Sequence, residues 1–154
     1  MRIRALFFTI GLSVQFNVYS SQFTVSGDEV TDMSSGLTWR RCAEGQVWNE
    51  SMSICTGTAL QFTHQQALMR AADQAKLTGK PWKVPNVKEL GSIVKRGVVG
   101  AFIDTAAFPA TPKSSFWAST PYAGSSELAW GVGFFAGDIG ASQRGSVSHV
   151  RLVR

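Results

Sequence analysis

The chain has 154 residues, of which 44% are hydrophobic, so it is long enough for one domain with its own core. Charged residues make up only 16%, beside 15 glycines, 5 tryptophans and 10 phenylalanines. This composition argues against a helical bundle and favours a turn-rich domain that contains strands. The formal net charge of +5 favours acidic partners only weakly, and we expect no nucleic-acid partner.

Residues 1–20 have the layout of a secretory signal peptide. Arg2 and Arg4 form a basic start, and residues 5–18 are mostly apolar. We therefore expect an exported protein, in the periplasm, at the cell surface or outside the cell, whose mature domain spans residues 21–154. Loss of the two arginines would lower the formal charge from +5 to +3. A buried strand and a membrane anchor are the alternatives, but the apolar run is short for a span, and no later stretch is long enough.

The mature domain is predicted to begin with two strands joined in a hairpin. The first strand is expected from Phe23 to Asp32, and the second contains Leu37 and Trp39 in alternation with polar neighbours. Residues 32–36 supply aspartate, serine and glycine, which are typical of turns.

Cys42 and Cys55 are the only two cysteines in the sequence. Their spacing matches neither a C-x-x-C redox motif nor half of a zinc site. In an exported chain, an even pair predicts a disulfide, which contributes roughly 3 kcal/mol by loop closure. Two free thiols in a reducing compartment are the alternative.

A first helix is predicted after Thr63. Thr63 and Gln66 have the spacing of a capping box, and Gly79 stands where a left-handed residue would end the helix. The apolar face between them consists of Ala67, Leu68, Ala71, Ala72 and Ala75.

A second helix is predicted within the motif W-K-V-P-N-V-K-E-L, which begins at Trp82. The residue before Pro85 is held in an extended conformation. Asn86 can then cap the helix, and Glu89 can reach back to the N–H of the cap. The helix is expected to end near Gly97. Its apolar face consists of Leu90, Ile93 and Val94.

The remainder is predicted to contain loops and strands. Residues 98–111 are irregular, residues 137–140 form a turn, and strands are expected at 116–119, 130–134 and 147–153. Alternate glycines in the strand at 130–134 indicate that another backbone or ring lies close. Strands, two α-helices and long loops together predict an α+β fold with short antiparallel strands and one disulfide. Phe102, Ile103 and Phe108 are expected to be buried. In the last strand, Val150 and Leu152 share one face, and His149 and Arg151 share the other.

Five stretches in this order resemble the bacterial secreted domains of the Lcl C-terminal-domain family. The first is T-D to G-L-T-W at 31–39, and the second is R-C at 41–42 with G-Q-V-W at 45–48 and C-T-G at 55–57. The third is the tryptophan motif at 82–90, the fourth is I-D to F-P at 103–109 with F-W-A-S-T at 116–120, and the fifth is V-R-L-V-R at 150–154. The signature W-x-x-P-x-x-x-E-L is also similar to that of formylglycine-generating enzymes. The resemblance therefore implies a C-type-lectin-like architecture and, as described for the adhesin that names the family, carbohydrate or glycosaminoglycan binding.

Catalysis is not expected. A serine nucleophile needs a histidine and a carboxylate nearby, and neither His64 nor His149 lies in a recognisable motif. A packing or surface role is therefore expected for both histidines. The disulfide would occupy the cysteines that oxidative chemistry requires.

No metal or other cofactor is expected, with calcium as the alternative. Lectin-like folds often hold calcium in carboxylate-rich loops, but the acidic residues here are scattered and suit turns and caps. The weak candidates are Asp104 and Asp138, among a scattered set that also contains Asp28, Glu29, Asp32 and Glu127.

A polyanion site is the leading binding hypothesis, because guanidinium forks suit sulfate and carboxylate groups. The candidates are Arg40, Arg41, Lys88, Lys95 and Arg96. Lys88 and Lys95 would share a face of the second helix. A solvated basic surface is the alternative. Core packing is expected for Trp39, Trp82, Trp117 and Trp130, whereas Trp48 is open to either role.

Together these features predict an exported, non-catalytic binding module for an anionic polysaccharide, a glycosaminoglycan or another surface partner. The alternative function is a structural or assembly component of a bacterial envelope or surface appendage.

Overall fold

The computed structural model describes residues 21–154, so the predicted signal peptide at 1–20 lies outside the described residues. Within the described part, eight short strands and two helices confirm the predicted α+β class. In chain order they are β1 (Phe23–Ser26), β2 (Glu29–Asp32), β3 (Thr38–Arg40), β4 (Val47–Asn49), β5 (Ile54–Thr56), α1 (His64–Thr78), α2 (Val87–Ser92), β6 (Ser115–Pro121), β7 (Leu128–Gly133) and β8 (Asp138–Gln143).

The strands form three small antiparallel sheets, with the orders β1-β2-β3, β4-β5 and β6-β7-β8. The single first strand predicted from Phe23 to Asp32 is wrong, because that stretch forms the hairpin of β1 and β2. Gly27 has φ +55°, a left-handed conformation that glycine adopts without steric cost, and it turns the chain between the two strands. The second hairpin, from β2 to β3, forms where the turn residues predicted it.

The disulfide between Cys42 and Cys55 is present, with the two Cα atoms 5.5 Å apart. It links Cys42, in the loop that follows β3, to Cys55 in β5. The sequence predicted only a loop between the cysteines, but β4 and β5 pair there as a hairpin, with Trp48 opposite Cys55.

The second helix is shorter than predicted. It ends at Ser92, with Ile93 as its C-cap, and not near Gly97. The chain leaves the helix because Val94 forms an antiparallel bridge with Ile103, which turns the backbone away from the helix axis.

Two predictions near the end of the chain are also corrected. Residues 137–140 are not a turn: the chain turns at 134–137, and β8 begins at Asp138. Residues 147–153 do not form a regular strand either. They make isolated bridges, with His149 beside β6 and Val153 between Trp39 and Lys83. This segment passes from one sheet to another, so it never runs beside one partner for long enough to form a ladder.

The core consists of two clusters, one under each helix. The first lies beneath α2 and is built on Leu90, Ile93, Phe108, Phe116 and Phe134. The second lies beneath α1 and is built on Ala67, Ala71, Trp82, Trp117 and Leu152. The last segment contributes to both, because Val150 and Leu152 face the α1 cluster and Val153 faces the α2 cluster. No helix in the described part is both long and apolar enough to cross a membrane.

Candidate functional site

The tryptophan motif forms the capping box that the sequence predicted. The side-chain oxygen of Asn86 accepts hydrogen bonds from the N–H groups of Lys88 and Glu89, each at 2.9 Å. The Glu89 carboxylate accepts from the Asn86 N–H at 2.8 Å and from Lys83 Nζ at 2.7 Å. The three side-chain oxygens of Asn86 and Glu89 therefore all accept hydrogen bonds within the fold, and the motif positions α2.

Two arginine side chains lie over the ring of Trp82. The guanidinium carbon of Arg40 is 4.7 Å from the ring centroid, and that of Arg154 is 5.3 Å away. Arg40 forms an ion pair with Asp28, and Arg154 pairs with Glu29 at 2.8 Å. Trp82 is buried, as predicted, and these contacts hold Arg40 in one position at the edge of its sheet.

Arg41 clamps the disulfide hairpin to the loop before β6. Its guanidinium carbon lies 3.8 Å from the centroid of the Trp48 ring. Its nitrogens donate to the carbonyl oxygens of Ala107 at 3.1 Å and Ala106 at 3.0 Å. Burial lowers the pKa of Arg41, and the charge of Glu50 partly opposes this effect. Because its guanidinium nitrogens donate to backbone carbonyls, the main role of Arg41 is to stabilise the fold.

The other three predicted polyanion residues lie at or after α2. Lys88 is exposed on α2. Lys95 pairs with Asp104 at 2.9 Å, and Arg96 donates to the carbonyl oxygen of Gly137 at 2.9 Å. The prediction that Lys88 and Lys95 share a face of one helix is wrong, because α2 ends before Lys95.

The two weak metal candidates lie in separate places. Asp104 caps a turn: one oxygen accepts from the N–H groups of Ala106 and Ala107, and the other accepts from Lys95. Burial raises its pKa, but these hydrogen bonds outweigh it and the net pKa is lowered. Asp138 stands exposed at the start of β8. Within residues 21–154, no three His, Cys, Asp or Glu side chains are grouped so that they could hold a metal ion.

Both histidines are buried and bonded to backbone, in agreement with the predicted packing role. His64 Nε2 donates to the carbonyl of Ala118, and His149 Nδ1 donates to the carbonyl of Leu60, each at 3.0 Å. Burial lowers the pKa of each ring more than its hydrogen bond raises it. Each ring also packs against an aromatic side chain of β6.

A cleft of about 560 Å³ lies beside the disulfide hairpin, and α1 forms part of its wall. Two ion pairs lie in its lining. Arg70 Nε on α1 is 2.7 Å from Glu44 Oε2, and the Arg40–Asp28 pair is the other. Glu44 itself is only 7% exposed.

The rim of this cleft is formed by β4. Trp48 Nε1 donates to Glu50 Oε2 at 2.5 Å, which fixes the indole ring against Arg41. Two amide side chains, Gln46 and Gln74, also line the cleft. Its charged lining comprises three carboxylates and two guanidiniums, and each guanidinium already faces one of the carboxylates.

Sequence reasoning named only part of this cleft. It selected Arg40 and left Trp48 open, but it missed Glu44, Arg70 and Gln74. The helical pattern of α1 could not identify Arg70 as a cleft residue, because its partner Glu44 lies 26 residues earlier in the chain. The one available signal was Trp48, a large aromatic residue inside the disulfide loop.

The fold and the cleft define a disulfide-linked α+β domain with an open polar groove. The family model of the Lcl C-terminal domain matches residues 28–154, so the chain belongs to this family. A search of curated proteins finds no match.

Proposed function

We propose that this protein is an exported, non-catalytic binding module with a C-type-lectin-like architecture, and that its ligand is an acidic glycan bound in the cleft beside the disulfide hairpin. The observation that carries the proposal is the cleft itself. Its volume of about 560 Å³ lies within the usual range of small-ligand sites. Its lining combines an indole, two guanidiniums, carboxylates and amides, and these groups suit sugar hydroxyls and acidic substituents.

The ion pairs of the cleft set the expected strength of binding. Arg40 and Arg70 already face Asp28 and Glu44, so a sulfate or carboxylate of the ligand must share or replace a protein carboxylate. We therefore expect weak binding that falls as salt concentration rises. The lectin-like part of the proposal is supported by the motif W-K-V-P-N-V-K-E-L at 82–90, which resembles the signature of formylglycine-generating enzymes.

The test compares two variants that each remove one positive charge. Arg40→Gln lies in the cleft, and Lys88→Gln lies on α2 outside it. Affinity for heparin-derived oligosaccharides is measured by calorimetry at two salt concentrations, with circular dichroism as the control for folding. We expect Arg40→Gln to weaken binding at least about tenfold, the lower end of the loss of one charge-assisted hydrogen bond, and Lys88→Gln to change it less than twofold.

Equal losses in the two variants would indicate non-specific attraction by net charge and would refute a cleft site. Glycan hydrolysis that disappears in His149→Gln would refute the non-catalytic part. Export is tested separately by mass spectrometry of the native protein: a chain that retains residues 1–20 and contains two free thiols would refute it. Co-purification with a large envelope complex, without glycan binding, would favour the alternative of an assembly component.

A further inference from the structure

The outer edge of β8 is free in the part of the chain that the structure describes. β8 is the last strand of the order β6-β7-β8, and within residues 21–154 no other strand pairs with its second side. Its residues are exposed except Ala141, which is half-exposed. The strand contains neither proline nor lysine, two of the residues with which proteins commonly protect a sheet edge from pairing.

The ladder with β7 shows which backbone groups of β8 point outward. Arg144 N–H donates to the Glu127 carbonyl, so this pair is hydrogen-bonded. Because hydrogen-bonded and non-bonded pairs alternate in antiparallel sheets, the same holds for Ser142, Gly140 and Asp138 of β8. The intervening residues therefore direct their backbone groups to the free edge.

These outward residues are Ile139, Ala141 and Gln143. Their three N–H groups and the carbonyls of Ile139 and Ala141 are available at the edge. The Gln143 carbonyl already accepts a hydrogen bond from the Ser146 N–H at 2.9 Å, and a carbonyl oxygen can accept a second.

We propose that two copies of this chain associate by antiparallel pairing of their β8 strands about a two-fold axis at Ala141. With Ala141 opposite its own copy, Ile139 pairs with Gln143 of the second copy, so every outward residue meets an outward residue. The pairs between them, Asp138 with Arg144 and Gly140 with Ser142 of the second copy, then lie on the other face of the sheet from Ile139, Ala141 and Gln143. In this register Asp138 of each copy lies opposite Arg144 of the other.

Charge complementarity selects this register. Asp138 and Arg144 are the only charged residues in the segment 138–144, and the two-fold arrangement joins them twice with opposite sign. A shift of two residues would move both carboxylates out of register with the arginines. Asp138 is exposed, and Arg144 is half-exposed, with its Nε bonded to the Leu128 carbonyl at 3.2 Å. Opposite charges directly across a strand pair stabilise pairing, and like charges destabilise it.

A contact of seven residues per chain is small, so the dimer should form only at high protein concentration. Cysteine crosslinking detects such a dimer and reports its register. In an antiparallel hydrogen-bonded pair the Cα atoms are about 5.5 Å apart, which a disulfide can span. Ala141→Cys places the thiol on the two-fold axis. Gln143→Cys is the matched control, because its own copy would lie about 14 Å away along the strands.

We expect oxidised Ala141→Cys to give a covalent dimer at least tenfold faster than Gln143→Cys, with the native disulfide intact by peptide mapping. Asp138→Arg should weaken the dimer of the otherwise native chain roughly tenfold or more in sedimentation equilibrium, and Asp138→Arg combined with Arg144→Asp should restore it. Equal crosslinking of the two cysteine variants, or a monomer at every concentration with crosslinking no faster than between unrelated surface cysteines, would overturn the proposal. Circular dichroism of each variant separates loss of pairing from loss of folding.

Discussion

Arg151 is the charged residue whose removal should cost this fold most. Its side chain is fully buried. It donates to the carbonyl of Arg40 at 2.9 Å, to the carbonyl of Arg41, and to Thr111 Oγ1 at 2.7 Å. Its guanidinium carbon also lies 4.8 Å from the ring centroid of Phe108. Burial lowers the pKa of Arg151 to about 9, against a small opposing effect of Glu44, so the group stays charged at neutral pH.

The substitution Arg151→Met keeps most of the apolar stem and removes the charged end. Three hydrogen bonds from a charged donor are worth about 1.5–3 kcal/mol each, or roughly 4.5–9 kcal/mol in total. Relief of the buried charge recovers several kcal/mol of this sum. Two backbone carbonyls, however, then lose their partner inside the core. Because each buried carbonyl left without a donor costs about 1–3 kcal/mol, the net loss of unfolding free energy should be about 3–5 kcal/mol.

Urea denaturation followed by tryptophan fluorescence measures this loss. With a slope of about 2 kcal/mol per molar urea, the midpoint should fall by about 1.5–2.5 M. Arg154→Met is the matched control, three residues further along the same segment. It removes a partly exposed ion pair with Glu29 and one cation–π contact with Trp82, so we expect a loss of at most about 2 kcal/mol. A loss below about 1 kcal/mol for Arg151→Met, with an unchanged slope, would refute the view that this guanidinium joins the segments of the domain.

Three further predictions concern stability. Replacing Cys42 and Cys55 together by serine should lower the unfolding free energy by roughly 3 kcal/mol, as measured by urea denaturation, whereas an unchanged midpoint would show that the crosslink leaves the unfolded chain unrestrained. Asn86→Ala should lower it by about 0.5–2 kcal/mol, and Asn86→Asp, which can still cap, should restore most of that loss. Burial lowers the pKa of His64 and His149 below the unfolded value of about 6.5, so the unfolded chain binds more protons and stability should fall as pH drops below about 6.5. Urea midpoints measured between pH 7.5 and 5 test this dependence of stability on pH. It should weaken when both histidines are replaced by glutamine, and an unchanged dependence in that variant would show that other groups cause it.

The features that were predicted correctly depend on residues close together in the chain. Asn86 and Glu89 form their capping box within one helical turn, and Thr63 and Gln66 do the same at the start of α1. The pairing of Cys42 with Cys55 followed from the expected oxidising compartment. In each case the sequence contains both partners of the interaction within a short stretch, so no knowledge of the tertiary fold was needed.

The predictions that failed depend on backbone partners outside the segment itself, which no local pattern marks. Helix α2 ends early because Val94 pairs with Ile103, and the final strand breaks up because Val153 pairs with two separate segments. Neither partner could be identified from the periodicity of the segment itself. Gly27 was a local signal for the first turn, but a glycine inside an alternating run also fits a continuous strand, so the sequence did not distinguish the two.

The arginines illustrate why a basic pattern alone did not define the binding site. Arg40 and Arg41 are adjacent in sequence, yet the guanidinium of Arg40 stacks on Trp82 and that of Arg41 stacks on Trp48. An arginine pair in a sequence predicts positive charge but not whether backbone carbonyls already use its donors. The cleft, by contrast, depends on Arg70, which comes from a helix whose sequence suggested only packing.

The motifs that identify the family contact one another in space. Arg151 of the final motif bonds the carbonyls of Arg40 and Arg41, and Arg154 stacks on Trp82. Residues engaged in this way stabilise the domain and leave few groups for a ligand. Glu44, Arg70 and Gln74 of the cleft lie outside the motif residues that carry the resemblance. It follows that two members could share every motif, including Gln46 and Trp48 at the cleft, and still bind different ligands, because other lining residues such as Arg70 lie outside the motifs.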